Sequence, residues 1–586
     1  MGLGTGRRGW FGEVLVWGVV GLAMAWVGAL SWGTVNHRPV WMDEASSWRT
    51  ATEQGYGALL LHRDDDVRHP TLSFLVIKAV LGVTGGGEAG SVELLWLRAG
   101  ALGAGVLAVG MAGLLGRVAL GRFGALACAV LAANDPVLLA QSQQARMFSL
   151  MMLGQTAAMA CAVVVLRGGV LGGVLGRLGR VRLLAAVGCG LGLAVAFNAV
   201  YLGLVVFGAL ALAGVWAVAW AWWRGREVAV GAGGVTREVG VVALVGTLGS
   251  IGSLWFLAAF TAGGGSAEDK GSGLSWETLS DTVATLLASY GQAWSSAVVL
   301  LVGVVGMGCW WWRGSGLNGG VGRSVAVMLA GVLVLSVLVP MRVRATSHWF
   351  ITPRFFSAVG PWLWLGVTTA AWVGVRGLVG WWVASRERRA GRERVDVGAG
   401  GGWRRVVAAW GLGGAVVLGV AGIWRVGVDG IDSQLALSYR VGAVVEALRE
   451  SGVRPGDRYA IEQTAADELL TYAALPVLEQ RARLDPEVVL SVDATSPADG
   501  GAWYLVLERL NREERVAIAR TRLTDLYGRW MGDGRGLPTG VAEHVVNGRM
   551  GVYRMDGDGS VWHGEAERRG RGWELEWELV GVGAVE

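Results

Sequence analysis

Asp43 and Glu44 stand side by side in Trp41-Met42-Asp43-Glu44-Ala45-Ser46-Ser47-Trp48, just past the point where one long apolar segment should leave a membrane. Adjacent carboxylates at a bilayer surface are costly to place, and ionisable groups there are candidates for function. A carboxylate so placed is suited to take a proton from a hydroxyl. The plain alternative is structural. Asp43 would cap a short amphipathic helix that Glu44 begins, its carboxylate accepting hydrogen bonds from the free N–H groups. The pair alone does not decide between the two readings.

The elements that must position this pair are apolar. The chain has 586 residues, is 53% hydrophobic and repeats apolar runs near twenty residues long, the length an α-helix needs to cross a hydrocarbon core. That pattern predicts a polytopic α-helical membrane protein. The 31 Trp residues suit the same class, since indole rings favour the headgroup level. Of 51 basic residues all but Lys78 and Lys270 are arginine, and there are 96 glycines. Both excesses fit the codon usage of a G+C-rich genome, so no glycine pattern is given weight. Cys128, Cys161, Cys189 and Cys309 all fall in apolar runs, which suggests neither a disulfide framework nor a zinc site. The net charge of +5 is no nucleic-acid signal, because the basic residues cluster in short loops between spans, where they set orientation. The first apolar segment follows Arg7 and Arg8 and is too long for a cleaved leader, so it reads as a retained signal-anchor.

Topology turns on Thr71–Gly85, which is apolar but only fifteen residues long. If it crosses, the arginine-bearing loops all face away from Arg7 and Arg8. If it dips or lies in the interface, they join those arginines in the cytoplasm, as the positive-inside rule prefers. On that reading there are about eleven spans, near 11–32, 95–116, 123–140, 148–166, 183–199, 201–223, 240–262, 296–312, 324–341, 356–383 and 406–427. The N-terminus is then cytoplasmic and the C-terminus outside. A transmembrane domain covers 1–429, and a charged region, 430–586, forms an extracytoplasmic α/β domain. Arg458–Glu462, Val488–Asp493 and Trp503–Glu508 read as its strands, Thr464–Leu475 and Arg512–Tyr527 as helices.

This topology gathers Asp43, Glu44, His69, Arg98, Gln141, Gln143, Gln144, Arg146, Asn198, Tyr201, Arg342, Arg344, His348 and Arg354 on the outer face. The outer loop 263–295 includes an amphipathic stretch, Trp276–Trp294, suited to lie on the membrane as a lid.

The ordered strings Trp41-Met42-Asp43-Glu44-Ala45, Asp66-Val67-Arg68-His69-Pro70-Thr71-Leu72, Leu97-Arg98, Gln141-Ser142-Gln143-Gln144-Ala145-Arg146-Met147-Phe148 and Pro353-Arg354-Phe355-Phe356 together resemble the GT-C membrane glycosyltransferases. The likeness is to the protein O-mannosyltransferase-like group and to bacterial aminoarabinose or sugar transferases with polyprenyl-phosphate donors. It covers about residues 11–360 and departs at Thr71, where the family usually has a second proline, and at Arg68.

The resemblance implies an inverting transferase that moves one sugar from a polyprenyl-phosphate carrier to an extracytoplasmic acceptor on protein, lipid or envelope glycan. Asp43 matches the family's base, with Glu44 and His69 beside it as catalytic candidates. Arg146 and Arg354, then Arg98 and Arg344, are the guanidinium groups expected to hold the departing phosphate. The bland counterparts are plain. Arg146 and Arg354 would snorkel to headgroups, and His69-Pro70 would be an ordinary helix start. A divalent ion, Mg2+ or Mn2+, would suit the acidic pair, but a third oxygen ligand of clear spacing is missing; Glu268 and Asp269 are the candidates for it. The rival class is a transporter of lipids or lipid-linked sugars, which predicts inverted repeats and mid-span charge; the sequence displays neither.

Overall fold

The computed structural model describes residues 5–35, 42–61, 70–84, 94–171, 178–223, 229–251, 275–289, 293–313, 319–346, 353–373 and 413–422, with strands at 458–461, 503–507, 551–555, 560–569 and 572–582. The chain divides into two compact units. One comprises Met1–Val35, Gln54–Ile77 and Arg98–Asp432; the other comprises Asn36–Glu53, Lys78–Leu97 and Ser433–Glu586.

Six helical stretches among the described residues are long and apolar enough to cross a membrane: Gly12–Trp32, Leu95–Leu120, Phe148–Leu166, Val181–Ala199, Tyr201–Ala219 and Gly322–Arg342. The chain is a multi-pass membrane protein. The expected span 123–140 is instead two helices, α6 (Arg122–Ala133) and α7 (Pro136–Ser142), bent by 59°; counted as one, the pair makes a seventh span. Three further expected spans correspond to shorter apolar helices, Val239–Gly249, Ser296–Trp311 and Gly413–Gly422. The expected span 356–383 opens with a 3-10 turn, Pro353–Val359, and continues as a helix over 360–373; its remainder lies outside the described residues. Helix α4 (Leu72–Thr84) has 13 residues, about 20 Å at 1.5 Å per residue, short of the ~30 Å a crossing requires.

Side-chain pairs fix how the first helices run. Helix α1 (Thr5–Val35) lies against α5 (Leu94–Leu120). Near its start, Glu13 accepts from Arg117 Nη2 at 2.8 Å and from Arg122 Nε at 3.0 Å. Higher up, a Cβ on Gly113 would stand 3.1 Å from Val20, one on Gly110 3.0 Å from the Met24 sulphur, and one on Gly28 3.6 Å from Val106. The pairing descends along α5 as it climbs α1, so the two are antiparallel. At the far end Ser31 Oγ meets Ser142 Oγ at 3.2 Å, and a Cβ on Gly105 would touch Ser142.

Helix α5 turns into α6 through one residue, Gly121, at φ +81°. A side chain there would be strained. Gly116 and Gly124 face each other across this corner so closely that a Cβ on either would collide with the other's carbonyl. Helices α8 (Phe148–Leu171) and α9 (Leu178–Ala199) meet in the same manner: a Cβ on Gly192 would fall 2.6 Å from the Gly154 oxygen. Small residues are how membrane helices bring backbones together.

The bend between α6 and α7 has a local cause. Asn134 closes α6, its Nδ2 donating to the Val130 oxygen at 2.8 Å. Asp135 then caps α7, Oδ1 accepting from the Val137 and Leu138 N–H groups at 2.8 and 3.0 Å, with Pro136 as the first helical residue. Its other oxygen, Oδ2, accepts from Trp364 Nε1 at 2.8 Å. The buried carboxylate thereby serves as a structural cap that ties the bend to the 360–373 helix.

In the C-terminal region β1 (Arg458–Ile461), β2 (Trp503–Leu507), β3 (Gly551–Met555), β4 (Ser560–Arg569) and β5 (Gly572–Val582) form one sheet in that order. Only the β1–β2 pair is parallel among these strands. β1 and β2 coincide with expected strands; the β3–β5 meander was not anticipated. The expected strand Val488–Asp493 and helices Thr464–Leu475 and Arg512–Tyr527 lie outside the described residues.

Candidate functional site

In the first unit, three buried polar links lead from the bend to one end of the bundle. Gln155 of α8 donates to the Ala358 carbonyl of the 353–359 turn, Trp364 reaches Asp135 as above, and Cys128 of α6 lies 3.4 Å from Thr368 Oγ1. Phe123 stacks on Trp372 at 5.0 Å. The 360–373 helix therefore runs antiparallel to α6. It sets the 353–359 turn, which carries Arg354, at the end opposite the Glu13 clasp. That turn packs on α7 and α8, and also on the helix Gly319–Thr346, whose last turn carries Arg344. The side chains of Arg344 and Arg354 are outside the described residues.

Arg98 sits seven residues before Gly105 on α5, hence on the same helical face and about 10 Å nearer this end. Its side chain is 0% exposed, and that of Arg146, in the non-helical turn between α7 and α8, is 6% exposed. A snorkelling arginine keeps its guanidinium in water; neither of these does. The structure thus brings together, at one end of the first unit, the positions of Arg98, Arg146, Arg344 and Arg354.

The turn holding Arg146 and the helix ends beside it are buried throughout 141–149. Its backbone is held by few bonds, among them Arg146 N–H to the Gln144 oxygen at 2.7 Å. Non-helical backbone at membrane depth is tolerated where protein buries it or where it lines a wet cavity. Gln141, Gln143 and Gln144 are each more than nine-tenths buried, and the side-chain oxygen of each has no hydrogen-bond partner among the described residues; Ser149 Oγ is in the same state. A buried acceptor left without a donor costs about 1–3 kcal/mol.

Two expected neighbours of this end also have plain structural work. Asn198 Nδ2 donates to the Ala194 and Gly249 carbonyls at 2.8 and 2.6 Å, pinning α9 to the helix Ala229–Gly249. The helix Trp276–Ser289, foreseen as a lid, is capped by Ser275, whose Oγ accepts from Thr278 N–H at 3.1 Å. It packs against the 353–359 turn and the helix Gly319–Thr346.

In the second unit, Asp43 and Glu44 open α2 (Met42–Glu53). The helix starts two residues earlier than expected, so Asp43 lies inside its first turn rather than ahead of it as the cap. An acidic residue there still favours the positive end of the helix dipole. Glu44 is buried; the Asp43 side chain is outside the described residues. A residue the sequence reading passed over ties this helix down: Lys78 Nζ donates to the Ala51 carbonyl at 2.9 Å. Lysine was the signal available, since the chain has just two.

His69, His348, Glu268 and Asp269 lie outside the described residues. Pro70 and Thr71 precede α4, and Leu75 N–H donates to the Thr71 oxygen at 3.0 Å, so Thr71 takes the cap position. Among the described residues no three His, Cys, Asp or Glu side chains gather as metal ligands.

No family model matches the chain, and no curated protein matches it. Solved structures do. ArnT from Cupriavidus metallidurans in the apo state aligns with a TM-score of 0.47 and 14% identity, over 87% of this chain and 95% of that one. The same protein bound to undecaprenyl phosphate aligns at 0.46 and 12%, over 85% and 94%. The archaeal oligosaccharyltransferase AglB from Archaeoglobus fulgidus, in complex with an inhibitory peptide and a dolichol-phosphate, aligns at 0.43 and 10%, over 94% and 74%.

Proposed function

We propose that the chain is an integral-membrane inverting glycosyltransferase of the GT-C type. It takes one sugar from a polyprenyl-phosphate donor and passes it to an extracytoplasmic acceptor. The observation that carries this reading is the burial of Arg98 and Arg146 at the one end of the bundle to which the Arg344 and Arg354 positions also converge. Guanidinium groups held out of water at a membrane boundary are suited to grip the oxygens of a lipid phosphate, whose tail is already in the bilayer.

The chemistry balances in a single displacement. An acceptor hydroxyl attacks the anomeric carbon and gives its proton to the Asp43 carboxylate. The bond from that carbon to the phosphate oxygen breaks, and polyprenyl phosphate leaves with the electron pair. Charge grows on the phosphate as the bond stretches, and fixed guanidinium groups already facing it stabilise that state without reorganising. Glu44 and His69 assist at the acceptor side. A divalent ion, if the acidic pair holds one, would add charge there; no step above depends on it. The N-terminus is assigned to the cytoplasm and residues 430–586 to the outside.

The test is binding of a polyprenyl phosphate to the purified protein, and sugar transfer from polyprenyl-phosphate hexose or pentose to membrane extracts. Wild-type protein should bind the lipid and release polyprenyl phosphate during transfer. Protein that binds no polyprenyl phosphate overturns the assignment. For orientation, a cysteine at Thr84 should react with an impermeant thiol reagent from outside alone, and one at Trp10 from the cytoplasm alone.

A further inference from the structure

We propose that Gln141, Gln143 and Gln144 form a platform of hydrogen-bond acceptors that receives the hydroxyl groups of the sugar on the donor lipid. This rests on the reading of the chain as a polyprenyl-phosphate sugar transferase. Three amide oxygens within four residues, all more than nine-tenths buried, have no donor among the described residues. Ser149 Oγ, one residue inside α8, adds a fourth polar atom in the same state. Gln143 and Gln144 share their turn with Arg146, and Gln141 and Ser149 stand in the helix ends that flank it, at the end of the bundle where Arg98 is buried.

The chemistry of the atoms selects the ligand. An amide oxygen accepts and cannot donate. A phosphate diester offers acceptors alone, so it cannot satisfy any of the three. What satisfies them must bring O–H or N–H groups, as a sugar ring does along its rim. A buried acceptor that is met only in the complex also rejects ligands lacking the donor, because the oxygen would stay unpaired. The turn then divides its labour between neighbours: Arg146 for the phosphate, the glutamines for the sugar attached to it.

The experiment compares two probes, a polyprenyl phosphate and the same lipid carrying a hexose, on wild type and on Gln141→Leu, Gln143→Leu and Gln144→Leu. Wild type should bind the sugar-bearing lipid more tightly than the bare one. Each leucine variant should lose about tenfold of affinity for the sugar-bearing lipid and keep its affinity for the bare lipid. Arg146→Lys should weaken both probes alike. Melting temperatures of the leucine variants should equal or exceed wild type, since an unpaired buried acceptor has been removed; a glutamine that merely holds the turn would melt lower. If the sugar adds no affinity in wild type, or the leucine variants retain all of it, the platform is overturned while the phosphate assignment stands. If neither lipid binds wild type, the transferase reading falls and takes this one with it.

Discussion

The two ends of the α1–α5 bundle carry arginine pairs with opposite characters. At one end Arg117 and Arg122 share a single carboxylate, Glu13, with side chains 37% and 40% exposed. At the other, Arg98 and Arg146 are 0% and 6% exposed. Both pairs stand at the boundary of apolar helices, and hydropathy treats them alike. The first pair is satisfied within the fold and screened by water, and it orients and fastens. The second is held out of water, where a guanidinium costs far more to place than at a headgroup.

The largest effect should come from Asp43, whose proposed role as proton acceptor is separate from that of either pair. Asp43→Asn keeps the shape and removes the proton acceptor, so turnover should fall about a hundredfold while polyprenyl phosphate binding stays unchanged. A near-normal rate would return Asp43 to supporting α2. Next, Asp135→Ala removes the cap of α7 and strands the Trp364 indole N–H, which should cost about 2–4 kcal/mol of stability. Denaturation in detergent would read this, and an equal loss in specific activity would instead make Asp135 part of the chemistry.

The arginine comparison itself is sharpened by charge-preserving changes. Arg146→Lys and Arg354→Lys should each weaken polyprenyl phosphate binding about tenfold by losing the planar fork, with the double variant losing less than the sum. Arg117→Lys should leave binding untouched; equal losses at both ends would erase the distinction. The smallest effect belongs to Glu13→Gln. Its exposed pairs should yield a slight fall in melting temperature that high salt abolishes, with transfer unaffected.

Much of this arrangement was legible. Six long apolar runs became long helices, and the shortness of Thr71–Gly85 became the thirteen residues of α4. Arg98 and Arg146 were picked out by motif order, but their burial was not, since nothing local separates a buried arginine from a snorkelling one. Asn134-Asp135-Pro136 spells a helix end, a cap and a first-turn proline, yet the apolar residues on both sides of it read as one span. Setting the glycines aside as codon usage hid Gly116, Gly124, Gly154 and Gly192, where backbones nearly touch. The alternation in Trp573-Glu574-Leu575-Glu576-Trp577-Glu578-Leu579 is a period of two that marks β5, and it was overlooked beside stronger apolar signals.

The pairing of Asp135 with Trp364 has a consequence in time. The two residues are 229 positions apart, and a ribosome making about 5–20 residues per second needs roughly 10 to 50 s to travel between them. During that interval α6 and α7 have entered the membrane with a carboxylate whose indole donor does not yet exist. The nascent hairpin must keep water at Asp135, or wait in the company of the insertion machinery, until the 360–373 helix arrives to expel it.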